Sequence, residues 1–281
     1  MGKTAVALAV AQLLREQGED PVAVSADALQ VYSGLETLTG AHPGDRLVGI
    51  LPVSHSFSAG EYADLAHREI DASLAAGRRP IVVGGTGLYL QAALTDLELR
   101  PPPPEGLRES IEARLAERGA ESLHAELAER APEAAAAVRP SDRTRLVRSL
   151  ELLEMGEEPA PQGDASRLWT ARLRHPTLLC GLTMERETLY AAIDRRVESM
   201  VAAGAADEVR RAEAAGASAT ARAALGFDEL LRGDEEGMAR ATRRLAKRQL
   251  TWMRRLDPEL LIDVTGREPE DVARQVLPHM T

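Results

Sequence analysis

Gly2-Lys3-Thr4, a helix-periodic run, and then Pro21-Val22-Ala23-Val24-Ser25-Ala26-Asp27 make up the stretch whose reading decides the fold. From Lys3 to Gln17 the apolar residues Val6, Val10, Leu13 and Leu14 recur at helical spacing, and Gly18 closes the segment. Pro21 to Ala26 is short, β-branched and apolar without alternation, the pattern of a parallel strand buried on both faces. Asp27 stands just beyond its C-terminal end. The same order returns further on, with a helical pattern from about 59 to 76 and a second buried strand, Pro80 to Gly84, that runs into Gly84-Gly85-Thr86-Gly87. Helix alternating with buried strand predicts an α/β fold with a parallel sheet.

Working outward, prolines at 101 to 104 break the pattern, and from Glu105 the composition turns to alanine, glutamate and arginine, with Leu107, Ile111 and Leu115 on one helical face. No strand pattern returns until after His175. The sequence therefore predicts a core from 1–104 and 176–281, with an inserted helical lobe over 105–175 that contains a loop at 159–163. Thr177 to Thr183 is expected to return to the sheet, followed by helices near 185–203 and 237–256, a strand at Leu260 to Val264 and a closing helix.

The 281 residues, 44% of them hydrophobic, suffice for one sizeable core or for a core with an inserted lobe. The first ten residues lack the ordering of a signal peptide, and no apolar run is long enough to cross a bilayer. A cytoplasmic protein with no membrane partner is expected. Cys180 is the sole cysteine, which excludes an intramolecular disulfide and a thiolate zinc site. A formal net charge of −10 excludes a uniformly basic nucleic-acid surface, because phosphate contacts need clustered Lys and Arg. With aromatic residues at 3%, rows of stacking rings are excluded too. Any RNA contact is then local.

Gly2-Lys3-Thr4 matches the end of the phosphate-binding pattern GxxxxGK[ST], in which backbone amides cradle phosphates, the lysine neutralises charge and the hydroxyl ligates magnesium. Asp27 lies where open α/β sheets bind ligands and is a candidate base, or a turn cap. Gly84-Gly85-Thr86-Gly87 brings backbone and a hydroxyl to the same sheet edge, or is a tight turn. Near the C-terminus, Arg240, Arg243, Arg244, Lys247, Arg248, Arg254 and Arg255 fall within roughly 140° of a helical wheel. No acid lies between Arg240 and Leu256, so this face is read as a polyanion contact. A second basic cluster is Arg139, Arg143, Arg145 and Arg148.

These pieces resemble the bacterial tRNA dimethylallyltransferases (the IPP transferase family) over nearly the whole chain. The motifs that carry the resemblance include Gly2-Lys3-Thr4, the Ser25–Gly34 and Phe57–Tyr62 segments, Val82 to Leu90, Asp142 to Glu151, Gly181 to Arg186, Tyr190 to Val197, Ala224 to Phe227 and Arg243 to Trp252. The resemblance implies a P-loop kinase-like parallel sheet with an inserted all-helical lobe, the first strand and most of the P-loop standing ahead of Gly2 and missing from this chain. It also implies transfer of a dimethylallyl group from its diphosphate to N6 of adenosine 37, beside the anticodon of tRNA, by a monomer using magnesium. Asp27 matches the general base and Thr86 a second catalytic position near the target base. Gly2, Lys3, Thr4 and Arg196 match diphosphate-binding positions, with Thr4 also the metal ligand. The tRNA contacts would include Asp27, Ala28, Leu29, Gln30, Thr86, Arg108, Thr144, Arg145, Leu146, Val147 and Arg148, with Arg244, Lys247 and Arg248 from the basic helix. Residues 37–43 and 47–56 follow the family pattern only loosely. Two other readings stay open on the residues alone, a small-molecule P-loop kinase that binds ATP, with Asp263 after Leu260-Leu261-Ile262 holding magnesium, and a truncated, non-catalytic tRNA-binding remnant.

Overall fold

The computed structural model describes residues 2–97, 100–159 and 172–280. The chain forms two compact units, Met1–Leu97 with Arg172–Thr281, and Glu98–Ala171, where the sequence placed the borders near 105 and 175. Most of the expected loop at 159–163 lies outside the described residues.

The first unit opens with α1 (Lys3–Glu16), whose preceding Gly2 adopts a left-handed φ of 84° that turns the chain into the helix. Its buried stripe is Val6, Ala9, Val10, Ala11 and Leu14, the face the periodicity picked out. β1 (Pro21–Ala26) pairs in parallel with β2 (Arg79–Gly84), Ala26 opposite Gly84. At that end the strands need a glycine, because a Cβ on Gly84 would lie 2.6 Å from the Ala26 carbonyl oxygen. Between the strands run α2 (Glu36–Thr39) and α3 (Ala59–Ala75). α3 begins on a capping box in which Ser58 accepts the Glu61 amide and Glu61 reaches back to the Ser58 amide. α3 packs its buried Tyr62, Ala66 and Ile70 against β1, and the Tyr62 hydroxyl donates to the Ser25 carbonyl at 3.1 Å. α4 (Gly87–Leu94) follows β2 directly.

In the second unit, α5 (Leu107–Arg118), α6 (Ala120–Arg130), α7 (Pro132–Ala137) and α8 (Arg143–Glu154) enclose a core of their own around Ile111, Leu123, Leu127, Leu146 and Leu150. The first unit resumes with β3 (Cys180–Thr183), α9 (Arg186–Ala202), α10 (Ala205–Ala214), α11 (Ala219–Arg222), α12 (Phe227–Leu231) and α13 (Glu235–Leu256). β4 (Leu260–Asp263) and α14 (Pro269–Val276) complete it, α14 packing on α1.

Sheet pairing differs from expectation. β3 pairs in parallel with β4 and does not join β1 and β2, so the described residues hold two separate two-stranded parallel sheets. A cleft of about 590 Å³ lies between them, lined by β2, by the segment from His175 to Thr183, by Val6 and Val10 of α1 and by Met253 of α13. The edge of β2 away from β1 and the edge of β3 away from β4 thus each lack a ladder partner among the described residues.

Candidate active site

The C-terminal ends of β1 and β2 and the first turn of α1 meet at a second cavity, of about 450 Å³, lined by Lys3, Thr4, Asp27, Gln30, Arg196 and Gln249 among others. Each arrives for a local reason. Asp27 follows the last residue of β1, and its Oδ1 accepts the Leu29 amide at 3.0 Å, an Asx turn that pins the carboxylate where the strand ends. Lys3 is the first residue of α1, whose N-terminal amides and dipole favour anions. Gln30, on the same turn as Asp27, accepts the Ser25 hydroxyl at 2.6 Å and donates to the Thr39 carbonyl at 3.3 Å. Arg196 reaches in from α9 at the cavity rim, its Nη2 donating to the Thr39 carbonyl at 3.4 Å.

Burial raises the pKa of the Asp27 carboxyl above the usual carboxylate range, opposed by the Leu29 amide and by the charges of Lys3 and Arg196. Burial lowers the pKa of the Lys3 ammonium, with Asp27 opposing and Arg196 adding to the fall. The cavity therefore gathers two cations, the partly buried Lys3 and Arg196 at the solvent-exposed rim, with one partly buried carboxylate, an excess of positive charge that a multiply charged anion would offset. The same arrangement gives a carboxylate with raised proton affinity beside the anion seat, which suits a general base.

Gly2 and Leu29 also line this cavity, whereas Ala28 packs on the neighbouring core. Thr86 sits at the same sheet edge as the N-cap of α4 but lines neither cavity. Asp263 lines neither as well, and its carboxylate is taken up by the Thr265 amide and hydroxyl, at 2.9 and 2.6 Å. Asp263 is therefore not placed beside Lys3, Thr4 and Asp27, and the kinase reading, which rests on those three, is left without the magnesium ligand it needed from β4. Sequence reasoning missed Gln249, which lies over Gly85 so closely that a Cβ there would come within 2.5 Å of its Nε2. Only the double glycine gave a sign that something approaches at this point.

The basic face of α13 is smaller than the helical wheel implied. Arg240 pairs with Asp234 and Glu236, Arg243 pairs with Asp194 and lies over the Tyr190 ring, and Arg255 has interactions of its own. Arg244, Lys247, Arg248 and Arg254 are exposed, and among the described residues they make no ion pair.

In the helical unit, Thr144 and Arg145 are exposed on the first turn of α8, which Asp142 caps by accepting the Arg145 amide at 3.2 Å. Arg108 and Arg148 flank the fully buried Glu151, donating to its two oxygens at 2.8 and 2.9 Å. Leu146 and Val147, expected from the sequence to contact tRNA, do not offer side chains to it. Their side chains lie in the core of the unit, 0% and 3% exposed, so helical periodicity turns them inward and only their neighbours face solvent.

The sequence model of the IPP transferase family matches residues 30–256. The chain belongs to the IPP transferase family. Within it, the chain is 42% identical to the tRNA dimethylallyltransferase of Rhodospirillum centenum over 90% of its own length and 85% of that protein's. Identity is 40% to the enzyme of the same name from Kineococcus radiotolerans, over 98% and 92%. The solved full-length tRNA isopentenylpyrophosphate transferase of Bacillus halodurans superposes with a TM-score of 0.67 at 29% identity, covering 99% of this chain and 91% of that one. As an IPP transferase family member the chain is a transferase, and the cavity at the ends of β1 and β2 is its candidate active site. Among the described residues no helix is long and apolar enough to cross a membrane.

Proposed function

We propose that this chain transfers a dimethylallyl group from dimethylallyl diphosphate to N6 of adenosine 37 in the anticodon stem-loop of tRNA, releasing diphosphate. The observation that carries the reading is the convergence of Lys3, Thr4 and Arg196 on one cavity with the partly buried Asp27, whose desolvation raises its proton affinity. Adenine N6 is a weak nucleophile because its lone pair is delocalised into the ring. Asp27 accepts its proton as the N6–carbon bond forms, while the bond from the allylic carbon to the diphosphate oxygen breaks. Lys3 and Arg196 stabilise the charge that develops on the leaving oxygen. A magnesium ion fits the site, since Thr4 offers a hydroxyl oxygen to the cavity and a hard cation that keeps its waters needs few protein ligands beside a diphosphate. Bound there, it would further neutralise the leaving group.

The exposed Arg244, Lys247, Arg248, Arg145 and Thr144 are the groups we assign to tRNA, together with Arg108, Arg148 and Thr86. We further infer that the cleft between β2 and β3 takes one more parallel strand, paired to both edges and leading into the rest of a P-loop. Partly buried strand edges without ladder partners favour such an occupant. The enzyme is expected to act as a monomer in the cytoplasm.

The test is to mix the protein with dimethylallyl diphosphate and anticodon stem-loop RNA and to measure the mass of the RNA. A gain of one isopentenyl unit on the adenosine is expected, abolished when that adenosine is replaced. Binding of RNA without any gain, for a chain that also carries an upstream strand and loop, would leave only the reading of a non-catalytic binder.

A further inference from the structure

Helix α2 begins on Leu35, whose side chain cannot cap it, so the amides of its first turn need an acceptor from elsewhere. That acceptor comes from α10. Glu208, 8% exposed, accepts the Thr37 amide at 3.0 Å on one carboxylate oxygen and the Leu38 amide at 2.9 Å on the other. The opposite end of α2 faces the candidate active site. There the Thr39 carbonyl takes hydrogen bonds from both Gln30 and Arg196. Gly40 follows with a left-handed φ of 60°, and a methyl built on it would collide with the Arg196 guanidinium. One carboxylate on α10 thus sets a one-turn helix whose far end seats two residues that flank Asp27.

We propose that Glu208 is a positioning residue, fixing α2 so that Thr39 and Gly40 hold the Arg196 guanidinium toward the anion in the cavity. This rests on the proposed function, in which the anion is a diphosphate. Two amide donors on a buried carboxylate are charge-assisted and geometrically demanding. A carboxamide offers one acceptor oxygen and turns an NH2 toward the second amide, so glutamine loses geometry as well as charge. The contribution passes through Arg196 and not through contact with substrate, which distinguishes it from simple support of the fold.

A double-mutant cycle separates the two. Inorganic diphosphate is titrated calorimetrically into the unaltered protein, Glu208→Gln, Arg196→Ala and the double variant, with thermal midpoints recorded in parallel. Arg196→Ala alone should weaken diphosphate binding. Glu208→Gln should weaken it roughly tenfold in the native background, and by no more than about twofold once Arg196 is gone. Equal losses in both backgrounds, or a lowered midpoint with unchanged diphosphate affinity, overturn the positioning role while leaving the active-site reading intact. No effect of Arg196→Ala overturns both. Should Glu208→Gln not fold, Gly40→Ala strikes the same guanidinium from the other side and must give the same pattern of loss in the native background only.

Discussion

At Asp27 the fold and the chemistry pull in opposite directions. Burial disfavours its charged form, yet a general base must be charged before it can take a proton. The acid limb of kcat/KM should therefore lie above the range of an ordinary carboxylate, about 3.9, with activity rising as pH climbs through it. On the alkaline side Lys3, whose pKa burial lowers, loses its charge earlier than an exposed lysine, so diphosphate affinity should fall there. Asp27→Asn should lower kcat by about 10²- to 10⁴-fold, the usual contribution of general base catalysis, and abolish the acid limb. A variant that keeps the limb would assign it to another group. The same substitution tests the linkage. A carboxyl whose folded pKa is raised is destabilising above that pKa, and the cost shrinks as pH falls below it, to disappear below the unfolded-chain value of about 3.9. Asp27→Asn should accordingly raise the thermal midpoint at neutral pH, and the difference from the native protein should close as the pH is lowered.

Helix α13 does two jobs with two faces. Met238, Leu245 and Met253 turn inward, and a Cβ on Gly181 would lie only 2.9 Å from the Met253 sulfur, so β3 needs that glycine for the helix to lie against it. The outer face carries Arg244, Lys247 and Arg248. Replacing these three together by alanine should raise the KM for tRNA severalfold to a hundredfold while leaving diphosphate affinity unchanged, because none of the three lines the cavity. Loss of kcat at saturating tRNA would instead place them in the chemistry. Much of this element was legible in the sequence, as were α1, β1 and β2, because hydrophobic periods of 3.6 and of buried strands are local signals. The acids that neutralise Arg240 and Arg243 were not. Asp194 comes from a different helix, and Asp234 and Glu236 lie just before the basic run. Strand pairing was equally hidden, since nothing in Thr177 to Thr183 says that β3 will bond to β4 and leave β2 paired with β1 alone. At the site, Lys3, Thr4 and Asp27 could be found because they sit at the ends of legible elements. Glu208 could not, for it meets Thr37 across 171 residues of sequence.

Over the whole molecule, 44 acidic residues face 34 basic ones, a net −10 that should repel a polyanion. Binding of RNA then depends on range. At physiological ionic strength the Debye length is about 8 Å, so phosphates held against a few unpaired cations feel those cations and little of the acidic remainder. In 0.01 M salt the length grows to about 30 Å and the acidic surface enters the balance. A plot of log affinity for tRNA against log salt should thus fall at higher salt, where counterion release from local contacts dominates, and flatten or turn over at low salt. Each phosphate contact contributes a slope of about −0.7 to −0.9, so alanine at Arg244, Lys247 and Arg248 should make the high-salt slope shallower by roughly 2 to 3. Filter binding across a salt series with both proteins measures it. An unchanged slope would move the RNA contact off α13, to the arginines at 139, 143 and 145 that lie exposed on the helical unit. A slope that steepens without limit at low salt would mean that the net charge is not felt at all, and that the acidic residues are held away from the path of the RNA.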